Sequence, residues 1–232
     1  TLGFLVTGYL NNGQENAVNN TLIGRSFTQT DSLLNSTNLS SSKYNNLSYN
    51  VNYKSILDTA GSEISADLDY SRFNGTDIAK YNNDYLLVNG DRIRPLNVIR
   101  NTTPTQIDIK AFKVDYNTSL SKTVKLEAGI KSSWVKTDNN LKAEEFVNNF
   151  WQNDMRRSNQ FVYDENVNAI YTNVSKQFKN TSVQVGLRVE QTNSTGNLIT
   201  NNEVVDRSYW DFFPTFYLQQ TLSKNNQVGF SY

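Results

Sequence analysis

Apolar and polar residues alternate along much of this chain with a period of two. Val183, Val185, Leu187 and Val189 oppose Gln184, Gly186, Arg188 and Glu190. Val124, Leu126, Ala128, Ile130 and Trp134 oppose Lys125, Glu127 and Lys131. The same alternation carries Leu47, Tyr49, Val51 and Tyr53, then Ile64, Ala66, Leu68 and Tyr70, then Phe112, Val114 and Tyr116. Successive side chains of a strand point to opposite faces, so each segment reads as a strand with one apolar and one polar face. Helical periodicity is hard to find, and the expected fold is all-β and antiparallel.

Short polar punctuation separates these segments in pairs. Asp58-Thr59-Ala60-Gly61, Ser121-Lys122, Lys179-Asn180 and Ser223-Lys224-Asn225-Asn226 have the length of hairpin turns. Between the hairpins lie polar stretches at 31–42, 75–104, 138–164 and 194–206, which are expected to be loops. The first hairpin is the least regular, because 2–10 alternates poorly and 11–20 is too long for a tight turn. About ten strands follow from this count. Tight turns at one end and long loops at the other are the layout of an up-and-down transmembrane β-barrel. Strand length agrees: several segments exceed the ~5–6 residues usual in soluble sheets and reach the ~9–11 needed to cross a bilayer obliquely.

Composition narrows the chemistry. Lys plus Arg and Asp plus Glu each number 22, so no basic excess suits nucleic acid. With no His and no Cys, histidine bases, thiol nucleophiles, disulfides and Cys/His zinc sites are excluded. The acidic pairs Asp67/Asp69 and Asp164/Glu165 lack the spacing of a calcium loop. No catalytic residue, metal site or cofactor is therefore expected. The mean hydropathy of −0.59 and the lack of a long apolar run exclude a helical membrane protein. They do not touch a barrel, whose lipid-facing and lumen-facing residues alternate and average out. The chain opens at Thr1 and stops at Tyr232 inside an alternating segment, as expected of a piece of a longer polypeptide.

In a barrel, Val124, Leu126, Ile130, Val183, Val185, Leu187 and Val189 would face lipid. Lys125, Glu127, Arg188 and Glu190 would face the lumen, and Trp134, Trp210, Phe212 and Phe216 would form an interfacial aromatic girdle. Gly129 and Gly186 fall on the polar face, where a missing side chain permits close approach. In the stretch 138–164, Glu144, Glu145, Trp151, Arg156 and Arg157 read as a solvated loop or a ligand-gathering surface. The alternative is a soluble or surface-attached all-β binding module for a glycan or protein ligand, its apolar faces packed against one another.

Several short runs in the second half resemble one family. They are Arg157-Ser158-Asn159-Gln160-Phe161-Val162-Tyr163-Asp164-Glu165 continuing to Ala169-Ile170-Tyr171, and Val185-Gly186-Leu187-Arg188-Val189-Glu190-Gln191-Thr192. Phe212-Phe213-Pro214-Thr215 with Phe230-Ser231-Tyr232, and Lys113-Val114-Asp115-Tyr116 with Leu126-Glu127-Ala128-Gly129-Ile130-Lys131, complete the set. In order and spacing across 105–232 they resemble the Bacteroidota-type outer membrane β-barrel family, which is TonB-dependent receptor-like. The resemblance implies that 1–232 is part of a single outer-membrane barrel domain, contributing its strands to a barrel of roughly 22. It further implies substrate uptake without catalysis across a Gram-negative outer membrane. The implied partners are outer-membrane lipid, TonB acting through a plug, and a surface lipoprotein, with no nucleic acid.

Overall fold

A computed structural model describes residues 1–232. It holds one antiparallel sheet and no helix. Its strands are β1 (Leu2–Ile23), β2 (Ser32–Ile56), β3 (Glu63–Leu87), β4 (Asn97–Ser121), β5 (Val124–Val147), β6 (Phe150–Asn153), β7 (Asn159–Gln177), β8 (Thr181–Leu198), β9 (Glu203–Ser223) and β10 (Asn226–Ser231). Strands follow one another in sequence order, except that the short β6 folds back on the end of β5 and leaves the rest of β5 to pair with β7. β1 and β10 are each paired on one side only, and the sheet does not close.

The strands run much further than the alternating segments. β2, β3 and β4 each have 25 residues and β5 has 24. Most of 31–42, 75–104, 138–164 and 194–206, expected to be loops, is strand, as is 11–20 inside β1. The connections that remain at that end are 24–31, 88–96, the turns around β6, and 199–202. The physical reason is that in these extensions both faces are polar. Period-two contrast disappears while the backbone ladder continues, and side-chain bonds between strands replace apolar contact. Ser36 donates to Asn83, Asn83 to Asn97, and Thr105 to Asn139, at 2.7, 3.3 and 2.7 Å.

Only 7 of 232 residues are buried, and the buried hydrophobics are Ala143 and Ala169. A compact two-layer body of this length would seal many large side chains. The facing layer required by the soluble-module alternative does not form.

Candidate functional site

Antiparallel register aligns the two faces of the sheet into rows. Leu68, Phe112, Ser132, Asn168, Gln191 and Trp210 are successive partners from β3 to β9. On this face the rows from Val124 to Ile130 are predominantly apolar, the Ser132 row is mixed, and the Trp134 row carries Lys110, Asn166, Asn193 and Ser208 beside Tyr70. They contain Ile64, Ala66 and Leu68 of β3, Val114 and Phe112 of β4, Ile170 and Val174 of β7, and Val183 to Val189 of β8. On β8 the run is short, from Val183 to Val189. On β5 the run from Val124 to Trp134 is ten residue steps at ~3.3 Å, about 33 Å, which a barrel-like tilt of ~40° reduces to about 25 Å, the height of a lipid-facing band. Nothing covers it: Ile170 is 61% and Val185 53% exposed.

Both limits of the band are visible in the sequence of rows. At the turn end sit Lys122, Lys179 and Lys224. At the other end the row after Trp134 reads Arg72, Asp108, Lys136, Asp164, Thr195 and Asp206. Arg72 and Asp108 pair at 2.7 Å, and Lys136 and Asp164 at 3.7 Å. Of the aromatic residues expected at the girdle, Trp134 ends the apolar run of β5, in a row otherwise mostly polar, and Trp210 stands one row nearer the turns. Phe212 and Phe216 are level with Ile130 and Leu126, inside the band. Val124, Leu126, Ile130, Val183, Val185, Leu187 and Val189 all fall on this face.

Lys125, Glu127, Arg188 and Glu190 fall on the opposite face. Here Asp115, Gly129, Tyr171 and Arg188 are aligned from β4 to β8. The Tyr171 ring lies over Gly129, where a Cβ would come within 2.5 Å of the ring. Its hydroxyl thereby crosses β5 and donates to Asp115 at 2.5 Å. The Arg188 guanidinium lies 5.1 Å from the ring centroid and pairs with Glu190 on its own strand, while Lys113 pairs with Asp115 at 2.6 Å. Gly186 is covered in the same way by Asn173 and Thr215, and Gly75 by Tyr44 and Phe73. Glycine under a large neighbour lets a sheet coil toward that face and fills the gap from the adjacent strand. Sequence reading singled out Gly129 and Gly186 but gave Tyr171 and Asp115 no role beyond the family resemblance. The signal was an aromatic residue in register with a glycine, which needs the strand pairing to be seen.

Beyond the charged row the strands form an extended rim. Glu144 of β5 is buried and held by Lys142 at 2.8 Å and Arg100 at 2.6 Å. These two bases, Lys142 first, keep its carboxyl below the usual range. Arg100 also lies 4.3 Å from the centroid of the Trp151 ring, which packs on Phe146. Asp154, at the following turn, accepts from Arg157 at 2.8 Å and from the Arg156 backbone amide, and its carboxyl is held low by both. Glu144, Glu145 and Trp151 therefore lie in the β5–β6 hairpin where a loop was expected, while Arg156 and Arg157 lie in the connection that follows it.

Residues 55–232 match the outer membrane protein beta-barrel family. The chain belongs to that family. Its members are barrels of the outer membrane, and that is where this protein resides. Among solved structures, the ferric citrate transporter FecA in its unliganded form is similar at 10% identity and TM-score 0.46, covering 85% of this chain and 35% of that one. The ferripyoverdine receptor of Pseudomonas aeruginosa has 10% identity and TM-score 0.47 over 99% and 41%. The ferric yersiniabactin uptake receptor FyuA from Yersinia pestis has 10% identity and TM-score 0.41 over 97% and 41%. The chain spans 35% to 41% of the length of these proteins. No curated protein matches it.

Proposed function

We propose that residues 1–232 are part of the wall of a single large barrel, TonB-dependent receptor-like and of the Bacteroidota type, that imports a solute across the outer membrane without catalysis. The observation that carries this reading is the apolar band. It runs across the long strands on one face, reaches the height of the hydrocarbon layer on β5, and lies on a sheet with two unpaired edges. Unpaired edges within a membrane leave backbone groups unsatisfied, so further strands close the barrel. Nine strands side by side that stay open, with the short β6 folded onto β5, favour a total of roughly 22, wide enough to hold a plug.

In this reading the seven aliphatic residues from Val124 to Val189 named above touch lipid. Trp134 and Trp210 sit near the outer interface, Phe212 and Phe216 lie deeper, and Lys125, Glu127, Arg188 and Glu190 line the lumen. The rim stands outside the membrane, where a surface lipoprotein would dock, and TonB acts through the plug.

The test compares solutes depleted from the medium by a parent strain and by a strain lacking the gene, with and without a protonophore. Import predicts a solute whose depletion needs both the gene and an energised membrane. Identical depletion profiles would overturn the proposal.

A further inference from the structure

The lumen-side face changes character around the charged row and beyond it. From the row of Val135, one residue inside the charged row, outward, its charged residues on strands are Glu15, Asp77, Glu145, Glu165 and Glu203 against the base Arg207, and Arg94 of the 88–96 connection lies over the Tyr85 ring. None of the five carboxylates forms an ion pair. The other face of the same rim is more balanced: Lys142, Arg100, Lys43 and Lys80 stand there with the acids Glu144, Asp138 and Asp84. The chain is neutral as a whole, so charge is sorted by face rather than by composition.

Aromatic rings occupy the same levels of the acidic face. Phe73 and Tyr163 align through Ile107 and Thr137, and Tyr44 and Phe161 fall in the next row. Tyr44 stacks on Phe73 with centroids 5.7 Å apart, and Phe161 on Tyr163 at 6.5 Å. Phe161 and Tyr163, with Gly196 and Glu203, line a cleft of about 410 Å³ that Arg207 also borders. Tyr163 donates to Glu165 at 2.7 Å, which turns that carboxylate toward the rings.

Ring faces beside unpaired carboxylates are the surroundings that hold ammonium and guanidinium groups. An anion meets repulsion from the acids and nothing from the rings. A wall of one sign also concentrates counter-charged solutes at its mouth. We infer that the outer half of this lumen wall selects a positively charged solute, bearing amine or guanidine groups, which names the substrate class of the import proposed above and rests on that reading. The surface is a broad one, with carboxylates on β1, β3, β5, β7 and β9, and suits a substrate carrying several positive groups.

The experiment uses the full-length protein in nanodiscs and two probes of equal length, capped tri-lysine and capped tri-glutamate peptides. Binding is followed by calorimetry at two salt concentrations. The expected result is that tri-lysine binds at least about tenfold more tightly at low salt, loses affinity as salt rises, and weakens about tenfold in Glu165→Gln/Glu203→Gln. Asp206→Asn removes the same kind of charge from the opposite face at a neighbouring level and leaves binding unchanged. Retained heat-modifiable mobility shows that each variant is folded. No preference between the peptides, a preference for tri-glutamate, or a tri-lysine preference that survives the double substitution would overturn the inference. An anionic solute found by the depletion assay would also refute it, while leaving import itself intact.

Discussion

Replacing Gly129 by Val tests whether the polar face is built by a neighbour filling the space above a glycine. In the structure a Cβ at 129 would stand 2.5 Å from the ring and hydroxyl of Tyr171. Van der Waals contact requires roughly 3.5 Å or more, so the ring has to move by about 1 Å before the two valine methyls are accommodated. Movement of the ring lifts its hydroxyl off Asp115 and uncovers the Arg188 guanidinium. Overpacking costs about 1–3 kcal/mol and a lost bond to a charged acceptor about 1.5–3, so Gly129→Val is expected to destabilise by about 3–5 kcal/mol. Tyr171→Phe keeps the ring and removes only the hydroxyl. Asp115 retains Lys113, so the expected cost is about 1.5–2 kcal/mol. In Gly129→Val/Tyr171→Ala the valine fills space the ring has vacated, and the pair is expected to be less damaging than the sum of the single changes by more than ~1 kcal/mol. Urea titration of the full-length protein in micelles, read by heat-modifiable mobility, supplies all the terms. Strict additivity, or a cost below ~1 kcal/mol for Gly129→Val, would refute the reasoning.

Three further outcomes are expected. Leu187→Arg, in the middle of the apolar band, should cost about 2–4 kcal/mol and reduce outer-membrane assembly, while Asn197→Arg, on the same face beyond the band, should be near neutral; equal effects would remove the band as a membrane boundary. The chain has no cysteine, so Val185→Cys and Gln184→Cys report on the two faces: a membrane-impermeant maleimide should leave the first unlabelled in native membranes, and a lipid-soluble one should reach it. Efficient labelling of Val185→Cys from water would place that face in solvent. The Glu144 carboxyl is lowered in the fold, so its contribution is fully present above the ordinary carboxylate pKa of ~4.3 and is lost as pH falls through its lower folded value. Hydrogen exchange over 143–158, corrected for intrinsic rates, should accelerate below about pH 4; in Arg100→Ala the loosening should already begin at higher pH.

How much the chain disclosed about itself differs along each strand. Where lipid supplies one side, as from Val183 to Val189 or Val124 to Trp134, burial divides the residues into two classes and the period of two is plain. In 75–87, 97–104 and 138–147 water reaches both faces, so Asn, Ser, Thr and charged residues serve equally well on either, and strand looks like loop. The lack of any His or Cys and the run of tight turns likewise needed only the amino-acid order. Pairing decided the rest. Gly129 becomes a seat for Tyr171, and Asp115 its acceptor, only when β4, β5 and β7 are set in register, because these residues are 56 positions apart at their extremes. The acidic excess of one face of the rim, in a chain with balanced charge, has the same origin. Register determines which side chains share a surface, and that surface is assembled from residues far apart in the sequence.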